Sequence, residues 1–321
     1  MSITRRTFSI LTAAAIANPI MGFGAPARAQ EKTLRIGYQK YGTLVLLKGS
    51  GLLEKKLAGT GYQVTWTEFP GGPQLLEALN VGAIDFGSTG EAPPIFAQAA
   101  GAPLVYVAHE PPAPRGEAIL VPKDSPLQTV ADLKGKTVAL NRGSNVHYLL
   151  VKALEDAGLS YSDVTTVFLP PADGRAAFER GSVDAWAIWD PFQAAAEVAI
   201  EARELRNGEG IVPNHQFYLG TRDLVDDHRE AVQQLLAAIG ETDVWVSANT
   251  GEAAAQLAPN VGIPADVLTV ALARQSYGVT PLADEVVAQQ QAIADTFHEL
   301  GLIPSAISIA CLLYTSPSPR D

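Results

Sequence analysis

The sequence lacks the features that mark several large classes of protein. It contains one cysteine, Cys311, so a single chain forms neither a disulfide framework nor a cysteine-ligated metal site. Basic residues are in the minority, 23 against 34 acidic ones, which argues against binding to nucleic acid because phosphates require a basic face. The acidity can also simply provide solubility. Hydrophobic residues make up 47% of the 321, which excludes a disordered chain and is sufficient for about two domains.

Motifs of catalysis and metal binding are also missing. The five histidines do not have metal-ligand spacing, and neither a P-loop nor a dinucleotide-binding glycine pattern occurs. The Gly-Ser-Thr-Gly segment at 87–90 lacks the spacing of a nucleophile elbow. A Ser–His–Asp triad could still assemble in space. The sequence therefore predicts no catalytic residue, no metal site and no cofactor.

Residues 1–29 have the pattern of an export signal. They contain arginines but no acidic residue, and an apolar run extends from Ile10 to Ile20. Small residues at 27 and 29 predict cleavage before Gln30. The pair Arg5-Arg6 resembles a twin-arginine signal. A transmembrane anchor is the alternative, but the run is about half of the ~20 apolar residues that a span needs.

We expect the mature chain to be exported and free of the membrane. No cysteine stands directly after the apolar run, so there is no lipid attachment point there and no stable membrane insertion is expected after cleavage. An exported protein without an anchor is retained only where an outer membrane encloses it, which points to a bacterial periplasm. We expect a monomer.

Beyond Gln30 the sequence alternates between strand and helix patterns, which is typical of parallel βαβ units. Predicted strands lie at 33–38, 62–69, 84–87, 104–108, 118–121, 137–140, 165–169 and 183–188, and predicted helices between them at 44–57, 73–81, 93–100, 146–157 and 175–180.

Two parts of this alternation resemble each other. Residues 78–85 and 177–184 share alanine, glycine and aspartate at equivalent places, and their apolar positions match. Each segment predicts the end of a helix, a glycine cap and the start of a buried strand. The sequence therefore predicts two lobes of one architecture.

After about Thr221 only helical spacing remains, so we expect this stretch to pack back on the first lobe, with 217–220 as a second crossover. The predicted fold is α/β, with two similar lobes around a ligand cleft, joined by two crossover segments. The predicted organisation is a signal peptide at 1–29, a discontinuous first lobe at 30–117 and 222–304, a second lobe at 118–221, and an aberrant or disordered tail at 305–321.

Residues that follow the strands are the candidate ligand contacts, because parallel α/β sheets bind ligands beyond the carboxyl ends of their strands. Segments 87–90 and 143–145 are small hydroxyl or amide residues at predicted helix starts. Unpaired N–H groups and about half a positive charge occur there, which suits an anion. The same residues can be ordinary helix N-caps. One such segment in each lobe favours an anion site in the cleft.

Three further candidates have structural alternatives. Glu91 and Asp190 could form an acid–base pair across the cleft, but each is also a favourable charge at a helix N-terminus, and Asp190 could cap a helix before Pro191. Trp189 follows a strand and is expected either at the cleft or in the packing of the lobe.

Seven segments resemble the aliphatic sulfonate-binding proteins of bacterial ABC importers, and the similarity extends from about Thr33 to Pro304. They are residues 36–40, 68–74, 87–90, 95–101, 129–136, 171–173 and 184–191. The set is specific, although 129–136 alone is similar to many binding proteins. After Pro304 the family usually continues with a charged segment, which this chain lacks.

The resemblance implies a type II periplasmic binding protein whose lobes close on a small organosulfonate and deliver it to an ABC permease and its cytoplasmic ATPase for sulfur acquisition. A sulfonate offers three acceptor oxygens and no proton, so its site needs donors. Trp189 and Tyr218 are expected to cover the alkyl part. The predicted ligand-binding residues are Gln39, Gly72, Ser88, Thr89, Gly90, Glu91, Ser144, Asn145, His147, Trp189, Asp190 and Tyr218.

Alternatives remain open. Binding of nitrate, or of taurine with Glu91 or Asp190 pairing its ammonium, belongs to the same class. An enzyme related to the pyrimidine synthases is disfavoured, since those proteins look dependent on Cys and His and no cysteine precedes Cys311. A sensor module that passes its ligand state to a membrane receptor is not separable from transport by sequence.

Overall fold

The computed structural model describes residues 32–314. The predicted signal peptide, its cleavage site and residues 315–321 of the predicted tail lie outside this range. The strands are β1 (Lys32–Tyr38), β2 (Tyr62–Glu68), β3 (Phe86–Gly90), β4 (Leu104–His109), β5 (Glu117–Val121), β6 (Thr137–Leu140), β7 (Thr165–Phe168), β8 (Ala185–Trp189), β9 (Arg203–Asn207) and β10 (Gln216–Thr221). The helices are α1 (Thr43–Ser50), α2 (Leu52–Leu57), α3 (Gly72–Asn80), α4 (Ala92–Ala99), α5 (Asn145–Asp156), α6 (Pro171–Glu179), α7 (Phe192–Ala199), α8 (Arg222–Asp227), α9 (Arg229–Ala248), α10 (Thr250–Val261), α11 (Ala265–Ala273) and α12 (Asp284–Glu299).

The strands form two five-stranded sheets, ordered β2-β1-β3-β10-β4 and β7-β6-β8-β5-β9. We call the first sheet with α1–α4 and α8–α12 the first lobe, and the second sheet with α5–α7 the second lobe. Strand β10 is antiparallel to both of its neighbours in the first sheet, and β5 is antiparallel to both of its neighbours in the second.

The expectation of parallel units throughout is therefore wrong for β5 and β10. Each of these strands follows a crossing from the other lobe, so it enters its sheet at the edge where the parallel strands end and must run the opposite way. The predicted lobe boundaries assign 216–221 to the second lobe, but β10 pairs in the first sheet.

The predicted internal repeat is present as an equivalent contact in each lobe. Asp85 Oδ2 accepts a hydrogen bond of 2.9 Å from the backbone N–H of Arg35 at β1, and Asp184 Oδ2 accepts one of 2.8 Å from the N–H of Thr137 at β6. The repeated aspartate thus anchors the residue before β3 to β1 in the first lobe, and the residue before β8 to β6 in the second.

Two crossovers, 110–116 and 208–215, join the lobes and lie side by side. The N–H of Ala113 donates to the carbonyl of Pro213 at 3.1 Å, and the N–H of Glu110 donates to the carbonyl of Gln216 at 2.8 Å. Away from the crossovers, α11 packs against α7 through small side chains, and Phe96 of α4 stacks on His147 of α5.

Other expectations need correction at the level of single elements. The helix predicted over 44–57 is divided at Gly51, whose φ of 63° is left-handed and ends α1. Strand β9 was not predicted, and helix α7 was indicated only by the possible cap at Asp190. In the predicted tail, Ile309 is fully buried and Tyr314 donates its N–H to the carbonyl of Tyr106, because this segment packs against α12 and β4. Within 32–314, every helix is too short or too polar to cross a bilayer.

Candidate functional site

A pocket lies between the lobes, at the edge where the parallel strands end. Its empty space amounts to about 350 Å³, including the open mouth. The lining residues are Gln39, Tyr41, Gly72, Gly90, Pro93, Ser144, Asn145, Trp189 and Asn214. None of these side chains carries a formal charge, so the polarity of the pocket comes from amides, hydroxyls and backbone.

Three helices begin at the pocket wall: α3 at Gly72, α4 at Ala92 beside the lining Pro93, and α5 at Asn145. Proline occupies the first turn of α3 and of α4, where an absent N–H leaves no helical hydrogen bond unmade. Each helix start carries roughly half a positive charge, and its first N–H groups have no partner within the helix. These helix starts therefore offer positive charge and N–H donors to an anion, although no lining side chain is a cation.

Asparagine side chains join the two lobes and the crossover at this point. Asn145 Oδ1 accepts a hydrogen bond of 3.3 Å from the N–H of Ala92, and Asn145 Nδ2 donates to Asn214 Oδ1 at 2.5 Å. Asn214, which has a positive φ of 53°, donates Nδ2 to the carbonyl of Ala113 at 2.8 Å. The network links α5, α4 and both crossovers.

The remaining polar wall is formed by Gln39, Ser144 and Tyr41. Gln39 Nε2 donates to the carbonyl of Ser88 at 2.9 Å, which uses one amide hydrogen and leaves the other. The hydroxyl of Ser144 donates to the carbonyl of Asn141 at 2.6 Å, so its proton is occupied and it does not cap α5. Burial raises the pKa of Tyr41, which keeps the phenol protonated and able to donate.

Six of the predicted ligand residues line this pocket, namely Gln39, Gly72, Gly90, Ser144, Asn145 and Trp189. The other six lie nearby but are not among the lining residues. Ser88 and Thr89 were expected at a helix start, and that placement is wrong: both are buried inside β3, and the Thr89 hydroxyl donates to the carbonyl of Gly90 at 2.9 Å.

The two predicted carboxylates have protein partners. Glu91 is fully buried and accepts a hydrogen bond of 3.0 Å from the N–H of His215; burial raises its pKa to about 8. Asp190 is also fully buried, accepts from the N–H of Ala194 and lies 3.5 Å from Arg274 Nη1. Burial raises the pKa of Asp190 to about 6, and the Arg274 charge opposes that rise. Neither residue is among those that line the pocket, although Glu91 Oε1 has no hydrogen-bond partner within residues 32–314.

His147 and Tyr218 are held in the interior. His147 Nε2 lies 2.7 Å from the hydroxyl of Tyr161, and burial lowers its pKa to about 4. Tyr218 donates its hydroxyl to Glu110 Oε1 at 2.6 Å and stacks on Phe86. Neither side chain is among those that line the pocket.

Sequence reasoning missed Tyr41, Pro93 and Asn214 as lining residues. Tyr41 follows the predicted strand 33–38, so the rule of strand ends reached it although it was not among the predicted ligand residues. Pro93 is reached only once β3 is known to end at Gly90. Asn214 has a weaker signal: asparagine tolerates positive φ, and Pro213-Asn214 suggests a turn before β10.

A family model described as "NMT1/THI5 like" matches residues 59–253. A curated protein of Escherichia coli K12 described as an aliphatic sulfonates-binding protein is 46% identical over 289 residues, which cover 89% of this chain and 90% of that protein.

Two solved structures are similar in sequence and in shape. The alkanesulfonate-binding protein from Xanthomonas axonopodis pv. citri, bound to MOPS, has a TM-score of 0.86 and 44% identity, covering 90% of this chain and all of that one. The periplasmic aliphatic sulphonate binding protein from Escherichia coli has a TM-score of 0.81 and 45% identity, covering 90% of this chain and 94% of that one.

Proposed function

The chain belongs to the NMT1/THI5-like family and, within it, to the aliphatic sulfonate-binding proteins, and from this we propose that it captures an aliphatic sulfonate between its two lobes. It does so in the periplasm and hands the anion to an ABC permease driven by a cytoplasmic ATPase. It acts as a monomeric binding protein and not as an enzyme.

The observation that carries the proposal is the convergence of three helix starts on a pocket without formal charge. A sulfonate is ionised at any physiological pH and has only acceptor oxygens, so N–H and amide donors satisfy it fully. Hydrogen bonds to a charged group contribute roughly 1.5–3 kcal/mol each, and a few of them reach the ~8 kcal/mol of micromolar binding after ordering costs.

We place the sulfonate at the start of α5, within reach of Gln39 and Asn145, with Gly72 and Gly90 allowing close approach of the backbone. Trp189, Tyr41 and Pro93 supply apolar surface for the alkyl chain. Ser88, Thr89, Glu91, His147, Asp190 and Tyr218 then act by shaping the wall rather than by contact.

Taurine fits this pocket less well than an uncharged alkanesulfonate. Its ammonium needs an ionised carboxylate. Asp190 lies beside Arg274, and Glu91 keeps its proton at neutral pH because burial raises its pKa to about 8. An enzymatic function would need a nucleophile in the pocket. The hydroxyl of Ser144 donates to the carbonyl of Asn141, and the lining residues include no Cys or His.

Calorimetric titration of the purified chain with ethanesulfonate, taurine, nitrate and sulfate tests the ligand class. We expect micromolar binding of ethanesulfonate, with taurine at least tenfold weaker because its ammonium is unpaired. Heat from taurine or nitrate with none from ethanesulfonate contradicts the proposed ligand. Growth of a deletion strain on ethanesulfonate as sulfur source, against growth on sulfate, tests the transport role.

A further inference from the structure

A groove adjoins the pocket, between α3 and α4 of the first lobe and the loop 141–143 that precedes α5. It has a volume of about 910 Å³ including its open mouth. Pro93 lines both the pocket and the groove, and Pro73 of the groove is the neighbour of Gly72 of the pocket. The organic part of a sulfonate bound in the pocket therefore has the groove beside it.

Two polar atoms at this boundary are buried without a partner in the part of the chain that the structure describes. They are Nδ2 of Asn141, a residue only 7% exposed, and Oε1 of Gln74. A Cβ atom on Gly71 would lie 2.6 Å from the first and 3.1 Å from the second, so both atoms lie against the same side of Gly71. One belongs to each lobe, and one is a donor while the other is an acceptor.

We propose that Asn141 and Gln74 recognise a hydroxyl group on the organic part of the sulfonate, which makes hydroxyalkanesulfonates the preferred class; this inference rests on the proposed function. A hydroxyl accepts a hydrogen bond from an amide N–H and donates one to a carbonyl oxygen, so it satisfies both atoms at once. An alkyl group leaves both unpaired, and a site built for a hydroxyl discriminates against such an analogue.

The charges around the groove favour a neutral substituent. Arg142 and Glu77 are both exposed and both line it, so neither sign of charge prevails. Arg142 is also placed over the ring of Phe168, 5.5 Å from its centroid. A carboxylate has no proton to donate to Gln74, and an ammonium has no lone pair to accept from Asn141.

Calorimetric titration of the full chain with size-matched ligands tests the proposal. The pairs are 2-hydroxyethanesulfonate with propane-1-sulfonate, and 3-hydroxypropane-1-sulfonate with butane-1-sulfonate. We expect the hydroxylated member of at least one pair to bind roughly tenfold more tightly, as two neutral hydrogen bonds allow. Asn141→Ala and Gln74→Leu should each bring the ratio of the two affinities in a pair close to one. The affinity for the alkanesulfonate itself should change less than about threefold.

Asn80→Ala is the matched control, because Asn80 is an exposed asparagine of α3 that lines the same groove. It should leave the ratio unchanged, and thermal unfolding verifies that all three variants fold. A ratio near one in the unmodified protein overturns the proposal, as does a ratio that survives both substitutions. Absence of binding by every sulfonate instead overturns the proposed function, which keeps the two failures distinct.

Discussion

Asn145, at the start of α5, accepts a hydrogen bond from the backbone N–H of Ala92, at the start of α4, across a distance of 3.3 Å. One side chain thus joins the positive ends of two helices that belong to different lobes. Because the same amide donates to Asn214 on the crossover, approach of the lobes and assembly of the pocket are one event.

Two substitutions at Asn145 should distinguish the effect of its hydrogen bonds on sulfonate affinity from the effect of a charge at this position. Asn145→Ala removes the contacts to Ala92 and Asn214, and we expect sulfonate affinity to fall roughly tenfold. Asn145→Asp retains an acceptor for Ala92 but places a negative charge beside the bound anion, so its loss should be larger, about a hundredfold. Calorimetry measures both, and an Asp variant that binds as well as the Ala variant contradicts the anion site.

Gly90→Ala should hold the lobes apart. Its Cβ would lie 2.0–2.2 Å from the side chain of Asn145, so that side chain must leave its contacts with Ala92 and Asn214, which join the lobes. Overpacking of this kind costs ~1–3 kcal/mol, which corresponds to a loss of affinity of roughly 5- to 150-fold. Small-angle X-ray scattering with saturating ligand should show a larger radius of gyration than the unmodified protein.

The control is Gly251→Ala, because a Cβ atom there meets nothing within 4 Å. It should bind the sulfonate normally. Equal affinity of the two variants would mean that Gly90 is not in the closing interface.

Arg274→Gln should destabilise the folded protein. Arg274 lies 3.5 Å from Asp190, whose side chain is fully buried, and 2.7 Å from Glu197, so its removal leaves a buried carboxylate unpaired. Such a loss costs roughly 3 kcal/mol, measurable by urea unfolding. Lys123→Gln breaks an exposed pair with Glu201 and should leave the midpoint unchanged. Equal effects of the two substitutions would contradict the assigned role of Arg274.

Glu91 should make stability fall as pH rises. Burial raises its pKa to about 8, against roughly 4.3 in an unfolded chain. Between these values the folded protein keeps a proton that the unfolded chain loses, so the free energy of unfolding decreases by about 1.4 kcal/mol per pH unit. Glu91→Gln should remove this contribution.

Urea unfolding at several pH values between about 5 and 8 measures the slope. Glu110, whose pKa burial also raises to about 8, remains in the variant, so the slope should become shallower rather than vanish. An unchanged slope means that Glu91 is ionised in the folded protein.

The alternation of strands and helices was predictable because it depends on local patterns, whereas β9 was not. Strand β9 lies at the edge of its sheet, next to β5 alone, and Leu205 is its only apolar residue, so no apolar run marks it. The antiparallel direction of β5 and β10 could not be predicted from local sequence patterns either, because it depends on the lobe from which the chain enters the sheet.

The site was half predictable for the same reason. The rule of strand ends reached the lining residues Gln39 and Gly72 because β1 and β2 end within one residue of their predicted ends, and it reached Trp189 although that residue is the last of β8. Strand β3 continues instead to Gly90, which pairs with Gln216 of β10. That partner is distant in sequence, so Ser88 and Thr89 were placed in a loop when they lie in a sheet.

The order of strands has a consequence for how the chain matures on the ribosome. Strand β10 lies between β3 and β4, yet it is synthesised after the whole of the second sheet. The second sheet uses one unbroken stretch, Glu117 to Asn207, and can close while translation continues. The first sheet cannot be completed until Gln216–Thr221 has been synthesised, because this strand lies between β3 and β4. The first lobe therefore begins earlier in the sequence than the second and is completed after it.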